Sequence, residues 1–310
     1  MGVSHFLRIG SVGPSVIRGL LDRAQLFKER GPESWPNFSR RVVGHMFMEP
    51  STRTMVGFQA AAARLGAASA ILAETKYVSG MSSPEALEDT IRVLAGYCDV
   101  LVLRHPDPAS VDRAAAVSQV PVINAGNGSE EHPSQAVSDL FAMKLCHGRL
   151  EGLKVGIVGD LAGSRSAHSL VRALAWFAPT ELRLMSPVGR ELPSWVADDL
   201  HLPLVSIHEL DVTGLDTLYM AGLPEGDGAS HLPESVRACF RVTPDLYKRL
   251  PLGIAVLCPL PRVDEIDASL DNLPGMVYFQ QSANALFVRM AILEQCLGKG
   301  DVWVGGGPAL

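Results

Sequence analysis

Long apolar runs are missing from this 310-residue sequence: none approaches the roughly 18 residues that a membrane-crossing helix requires. The opening residues, MGVSHFLRIG, also lack the charged-then-apolar layout of a signal peptide, so a cytoplasmic location is expected. Nor is there a basic cluster. The 27 lysines and arginines are scattered among 33 acidic residues, and a net charge of −6 gives no basic face for nucleic acid or an anionic membrane. Any anion site must therefore be local. The five cysteines, Cys98, Cys146, Cys239, Cys258 and Cys296, are widely spaced and form no C-x-x-C pair, so most are expected to be reduced, buried small hydrophobes. H-E-x-x-H, Walker A and G-x-S-x-G patterns are absent, as are internal repeats and low-complexity segments.

What is present is an alternation of short apolar runs with longer helical patterns, which predicts an α/β protein with largely parallel sheets. In the first half the pattern predicts helices near Ser15–Glu29, from Arg53, and over Pro84–Tyr97, Val111–Val117 and Pro133–Cys146. Strands are predicted at Val42–Phe47, Ser69–Ala73, Val100–Leu103 and Val120–Ile123. The polar, glycine-containing CHGRLEG then breaks the pattern, and LKVGIVGD starts a second alternation. Three parts are expected: a domain over 1–149, a second over 150–278, and a closing helical segment over 279–310. Both domains are expected to be doubly wound parallel sheets joined by helices. The glycines of GIVGDLAGSRS are spaced G-x-x-G-x-x-x-G rather than the G-x-G-x-x-G of a dinucleotide turn, so no nicotinamide or flavin cofactor is expected.

Polar chemistry gathers at predicted strand ends, where open α/β sheets hold ligands. In FMEPSTRTMVGFQAAAARLGA, Ser51, Thr52, Arg53 and Thr54 stand at a helix start. One hydroxyl suffices to cap a helix. Several hydroxyls and a guanidinium at the positive end of the dipole would also suit a dianion such as phosphate, and both readings stand. LVLRHP puts Arg104 and His105 after an apolar strand; EEHPSQAVSDL puts His132 before Pro133 at a helix start, with Gln135 one turn on; VLCPLPRVDEI follows a strand with the turn Pro259, Leu260, Pro261, Arg262. Taken singly, a plain strand end explains Arg104 as well as a ligand role does, a capping role competes at His132 although histidine is a poor cap, and a surface turn is the preferred reading of Pro259–Arg262.

Taken together and in this order, S-T-R-T, R-H-P, H-P-S-Q, C-P-L-P-R and YFQQSANALFVRMAIL resemble the transcarbamoylase family, and within it the aspartate branch's catalytic chain most closely. The resemblance implies a carbamoyl phosphate domain, an amino-acid domain with the ligand cleft between them, a C-terminal helix returning to the first domain, a homotrimer and no cofactor or metal. It implies that Ser51, Thr52, Arg53 and Thr54 hold the phosphate and that Arg104 bridges phosphate and carbonyl oxygen. His132 would polarise that carbonyl, and Gln135 with the backbone carbonyls of Pro259 and Leu260 would orient the carbamoyl amine. Negative charge builds on the carbonyl oxygen and then on phosphate, and positioned donors stabilise both.

Departures from the family pattern fall on the second-substrate side. In SGMSSPEALEDTI, Ser79 matches the family's loop serine, contributed by a neighbouring subunit, but Ser83 stands where that loop's lysine is expected. The family's T-R-x-Q is replaced by Ala221, Gly222, Leu223 and Pro224, and the H-P-L-P-R turn begins with Cys258. Arg165, matching the arginine that meets the acceptor's α-carboxylate, remains. Three readings follow: carbamoyl transfer to a small amine or amino acid other than aspartate; ordinary aspartate carbamoylation with compensating residues; and a catalytically silent paralogue serving as a binding or assembly subunit.

Overall fold

The computed structural model describes residues 4–73, 85–198, 200–223 and 232–298. The chain packs as two compact units, Met1–Val137 with Asn284–Leu310, and Ser138–Ala283.

In the first unit, α1 (Ile9–Val12) and α2 (Pro14–Arg30) precede β1 (Val42–Phe47), α3 (Thr52–Arg64), β2 (Ala68–Ala73), α4 (Leu87–Ala95), β3 (Val100–His105), α5 (Ser110–Val117) and β4 (Val122–Asn127). Helix α6 (Pro133–His147) begins in this unit and continues into the second. Proline opens α2, where its missing N–H leaves no bond unmade, and Ile17, Leu20, Leu21, Ala24 and Phe27 make its buried stripe. The strands form a parallel sheet in the order β2-β1-β3-β4. The chain winds outward from β1 to β2, then returns to β3 on the other side, so the switch point lies between the C-terminal ends of β1 and β3.

Two strands, β3 and β4, differ from expectation by two residues or more at an end. Arg104 and His105 are the last residues of β3 rather than residues following it. β4 runs over Val122–Asn127, not Val120–Ile123, because Pro121 has no N–H for a ladder. Its polar half had no apolar signature, yet Asn124 and Asn127 are buried and satisfied: Asn124 Nδ2 donates to Leu7 O at 2.8 Å, and Asn127 Nδ2 to Pro108 O at 2.7 Å.

His45, on the central strand β1, is buried with Nε2 3.0 Å from Ser69 Oγ, and burial holds its pKa down at about 4 against an ordinary 6.5. The unfolded chain therefore binds a proton that the folded chain refuses between those values. Stability should be complete above the ordinary value and fall as pH drops through this window, by roughly 3 kcal/mol for a shift of this size. Urea unfolding at several pH values checks this; the fall should be smaller in His45→Gln.

In the second unit, β5 (Lys154–Gly159), α7 (Arg165–Leu174), β6 (Glu181–Met185), α8 (Ser194–Ala197), β7 (Leu204–Ile207), β8 (Thr217–Gly222), α9 (Glu234–Arg237), α10 (Pro244–Tyr247) and β9 (Ala255–Leu257) follow. The chain closes with α11 (Tyr278–Leu297), which starts in this unit and ends in the first. The parallel order β7-β6-β5-β8-β9 puts the second switch point between β5 and β8. Val158, Leu218, Met220, Val256, Ile266 and Tyr278 lie in its core. Gly159 pairs with Gly222 at that switch point, and a Cβ on Gly159 would lie 2.2 Å from Gly222 O, so glycine is required there by backbone contact.

Cys98, Cys258 and Cys296 are buried, whereas Cys146 and Cys239 are exposed, and all five are free thiols. Among the described residues no helix is long and apolar enough to cross a membrane.

Candidate active site

The first unit gathers its expected residues around its switch point. Ser51 is the N-cap of α3, with extended backbone at φ −159° and ψ 90°, but its side chain makes no capping hydrogen bond. Capping therefore does not account for this hydroxyl. Ser164, the N-cap of α7, behaves differently, because its Oγ accepts from Ala167 N at 3.3 Å. Ser164→Ala should lower stability by about 1 kcal/mol, the usual value of a lost cap, and Ser51→Ala by less than about 0.5 kcal/mol. Urea midpoints of the two variants check the contrast.

Thr52 and Arg53, the first residues of α3, are exposed, while Thr54 is buried with Oγ1 3.4 Å from His132 Nε2. On the other side of the ring, Nδ1 is 3.4 Å from Ser134 Oγ. His132 is itself buried, and its carbonyl accepts from Gln135 N at 3.0 Å and Ala136 N at 3.2 Å, which sets it at the start of α6 just before Pro133. The imidazole thus stands between hydroxyls of two helix starts. Gln135 is half-buried on the first turn of α6.

Arg104 pairs with Phe47 across β1 and β3, and its carbonyl accepts from Met48 N at 2.9 Å. Its guanidinium Nε lies 3.3 Å from Glu49 Oε2, with only 14 % of the side chain exposed. His105 is engaged within its own loop, where its Nδ1 accepts from Asp107 N at 2.9 Å, and burial lowers its pKa. Two arginines, three hydroxyl side chains, one imidazole and the positive end of α3 are a set able to bind a dianion and polarise a carbonyl.

The second unit holds the remaining described candidates. Arg165 is half-buried on the first turn of α7, just beyond the β5 end of the switch point. The Cys258–Arg262 turn follows β9; Cys258 is buried, Pro259 and Leu260 are half-buried, and the Leu260–Pro261 peptide is cis. Leu260 has φ 55°, a left-handed conformation that a leucine adopts at a cost of roughly 1–3 kcal/mol and that tends to occur at ligand sites. Arg262 donates to Asp271 Oδ2 at 2.7 Å and to Tyr278 Oη at 3.0 Å, and it holds the Asp271 carboxyl down at about 2. That arginine secures the turn.

Gly222 ends β8 at φ 89°, and a Cβ there would meet Glu265 Oε1 at 3.8 Å. Glu265 is buried and its Oε2 accepts from Val263 N at 2.8 Å and Asp264 N at 3.1 Å. Ser79, Ser83 and Pro224 lie outside the described residues.

Arg289 carries no role in the sequence reading, though it falls within the YFQQSANALFVRMAIL stretch. It is buried against α3, with its guanidinium 5.8 Å from the Phe58 ring, and a Cβ on Gly57 would be under van der Waals distance, 2.4 Å from Nη1. An arginine within the apolar run Ala285–Leu293 of α11 was the available signal.

The family model for the aspartate/ornithine carbamoyltransferase carbamoyl-P binding domain matches residues 4–145, and that for the Asp/Orn binding domain matches 151–296. The aspartate carbamoyltransferase catalytic subunit of Archaeoglobus fulgidus is 36 % identical over 94 % of this chain and 99 % of that protein. That of Methanocorpusculum labreanum is 37 % identical over 94 % of this chain and 98 % of that protein. Among solved structures, the M. jannaschii aspartate transcarbamoylase catalytic subunit superposes with a TM-score of 0.86 at 34 % identity, covering 96 % of this chain and 98 % of that one. The Trypanosoma cruzi enzyme in complex with carbamoyl phosphate gives a TM-score of 0.89 at 29 % identity, covering 96 % and 97 %. With both family domains matched in order along nearly its whole length, the chain belongs to the aspartate/ornithine carbamoyltransferase family.

Proposed function

We propose that this carbamoyltransferase moves the carbamoyl group of carbamoyl phosphate to the amino group of a small acceptor other than aspartate. Ser51, Thr52, Arg53 and Thr54 hold the phosphate, Arg104 bridges phosphate and carbonyl oxygen, and His132 polarises that oxygen. Gln135 and the carbonyls of Pro259 and Leu260 orient the carbamoyl amine, and Arg165 takes the acceptor's carboxylate. As the amine nitrogen attacks, the C–N bond forms, the carbon–oxygen bond to phosphate breaks, and the proton lost by nitrogen is taken up by the departing phosphate. No side chain is consumed. The observation that carries the phosphate assignment is the Ser51 hydroxyl, which stands at a helix start without capping it.

The acceptor assignment rests on the side chains missing from the second unit. Where the resemblance calls for arginine there is Gly222, and the space its Cβ would enter is bordered by the Glu265 carboxylate. A second carboxylate on the acceptor would be desolvated without a cation from this wall. Aspartate as acceptor is the second reading, favoured by the names of relatives such as the A. fulgidus catalytic subunit. The test is phosphate release from carbamoyl phosphate in the presence of a panel of amines and amino acids. No release above background with any amine, despite carbamoyl phosphate binding, would leave the silent-paralogue reading in its place.

A cytoplasmic homotrimer is proposed with this activity. Val56, Ile71, Val93 and Tyr97, from α3, β2 and the α4 region of the first unit, are 52 %, 56 %, 49 % and 72 % exposed, apolar side chains that burial between copies would remove from water. Sedimentation velocity at micromolar concentration should return a trimer, and a monomer would count against it.

A further inference from the structure

We propose that Gln281, Asp139 and Tyr219 are positioning residues that aim the carbonyls of the Cys258–Leu260 turn at the carbamoyl amine. This rests on the carbamoyl phosphate reading above and extends it to residues that touch no substrate. Pairing between β8 and β9 stops at Tyr219 and Leu257, so the next backbone N–H, that of Cys258, has no strand partner in that ladder. It donates instead to Gln281 Oε1 at 2.9 Å. Gln281 Nε2 donates onward to Asp139 Oδ1 at 2.6 Å, and Tyr219 Oη donates to Asp139 Oδ2 at 2.9 Å. The chain of bonds therefore draws on α11, α6 and β8 to hold one residue of a loop.

The direction of each bond is set by chemistry. A carboxylate faced by the glutamine amide takes the NH2 end, which leaves the amide oxygen for the Cys258 N–H. Burial pushes the Tyr219 hydroxyl's pKa well up, so the phenol remains a donor. Cys258, Gln281, Asp139 and Tyr219 are all buried, and a satisfied polar network in such surroundings is stiff. Two residues after its anchor the turn enters the left-handed Leu260, whose N–H is 3.4 Å from Cys258 Sγ. The carbonyls of Pro259 and Leu260 point where these torsions send them. Fixing Cys258 fixes the start of that path.

The network predicts a loss of discrimination rather than a loss of phosphate binding. Acetyl phosphate carries a methyl group where carbamoyl phosphate carries the amine, so it cannot donate to the turn. Titrations of carbamoyl phosphate, acetyl phosphate and inorganic phosphate against the full-length wild type, Gln281→Met and Tyr219→Phe would test the assignment. The wild type should prefer carbamoyl over acetyl phosphate. Gln281→Met should reduce that ratio by about tenfold, the value of one well-made hydrogen bond, with inorganic phosphate affinity unchanged. Tyr219→Phe, which keeps the ring and removes one hydroxyl, should give a smaller reduction, and it decides the matter if Gln281→Met does not fold. An unchanged ratio in the folded variants overturns the positioning role. A wild type that binds carbamoyl and acetyl phosphate equally removes the turn's contact with the amine, and the inference with it. A wild type that binds none of the three overturns the carbamoyl phosphate reading itself.

Discussion

Arg104→Ala should lower kcat/KM for carbamoyl transfer by about 10²–10³-fold, the range seen when one preorganised oxyanion donor is removed. The residue stands at the switch point of the first sheet, held by backbone pairing with β1 and by the 3.3 Å contact with Glu49. A guanidinium so fixed needs little reorganisation as charge moves from the carbonyl oxygen to phosphate. Most of the loss should therefore appear in kcat. Arg53→Ala, at an exposed position on α3, should act mainly on the KM for carbamoyl phosphate, because it removes binding common to the ground and transition states. Arg104→Lys should not rescue, since an ammonium cannot reproduce the planar fork. Glu49→Gln controls for the lost ion pair, and steady-state kinetics with urea melts of each variant separate catalysis from folding. Arg104→Ala with nearly full kcat would remove this residue from the reacting centre.

Aspartate should be a poor acceptor, with kcat/KM at least about 100-fold below that of the best amine in a panel, since each missing charge-assisted contact is worth roughly 1.5–3 kcal/mol. Gly222 lacks the side chain, and Ser83 lacks the charge, that the resemblance would require. Restoring one of them should not be enough. Gly222 sits at φ 89°, its carbonyl accepts from Asp160 N at 2.8 Å, and the same carbonyl is pressed against Gly159. An arginine there would have to adopt a backbone conformation that L-residues disfavour. Gly222→Arg should therefore cost about 1 kcal/mol or more of stability without raising aspartate turnover to that of the best acceptor. Competition kinetics and a urea melt measure both. Aspartate turnover at about 10⁴ M⁻¹s⁻¹ or above, ordinary for an enzyme with its own substrate, would refute the altered-acceptor reading.

The α/β class, the main strands and helices of the first unit, and the positions of the S-T-R-T, R-H-P, H-P-S-Q and C-P-L-P-R stretches were legible in the residues alone. These signals are local: β1 is a buried apolar run whose bounds follow from its own six residues, and α6 starts at its proline. β4 was read only in part, because the burial of Asn124 and Asn127 depends on partners that no pattern of apolar residues encodes. The role of Ser51 was likewise open, since a capping hydroxyl and one left for a ligand have the same sequence. Tertiary structure decided that Ser51 does not cap, that Gly159 is fixed by contact with Gly222, and that Arg289 lies against α3. It also joined Gln281 to Asp139 across 142 residues and Tyr219 to Asp139 across 80. Helical and strand periods report only which face of an element is buried, whereas a hydrogen bond between distant side chains depends on how the elements bring their backbones together.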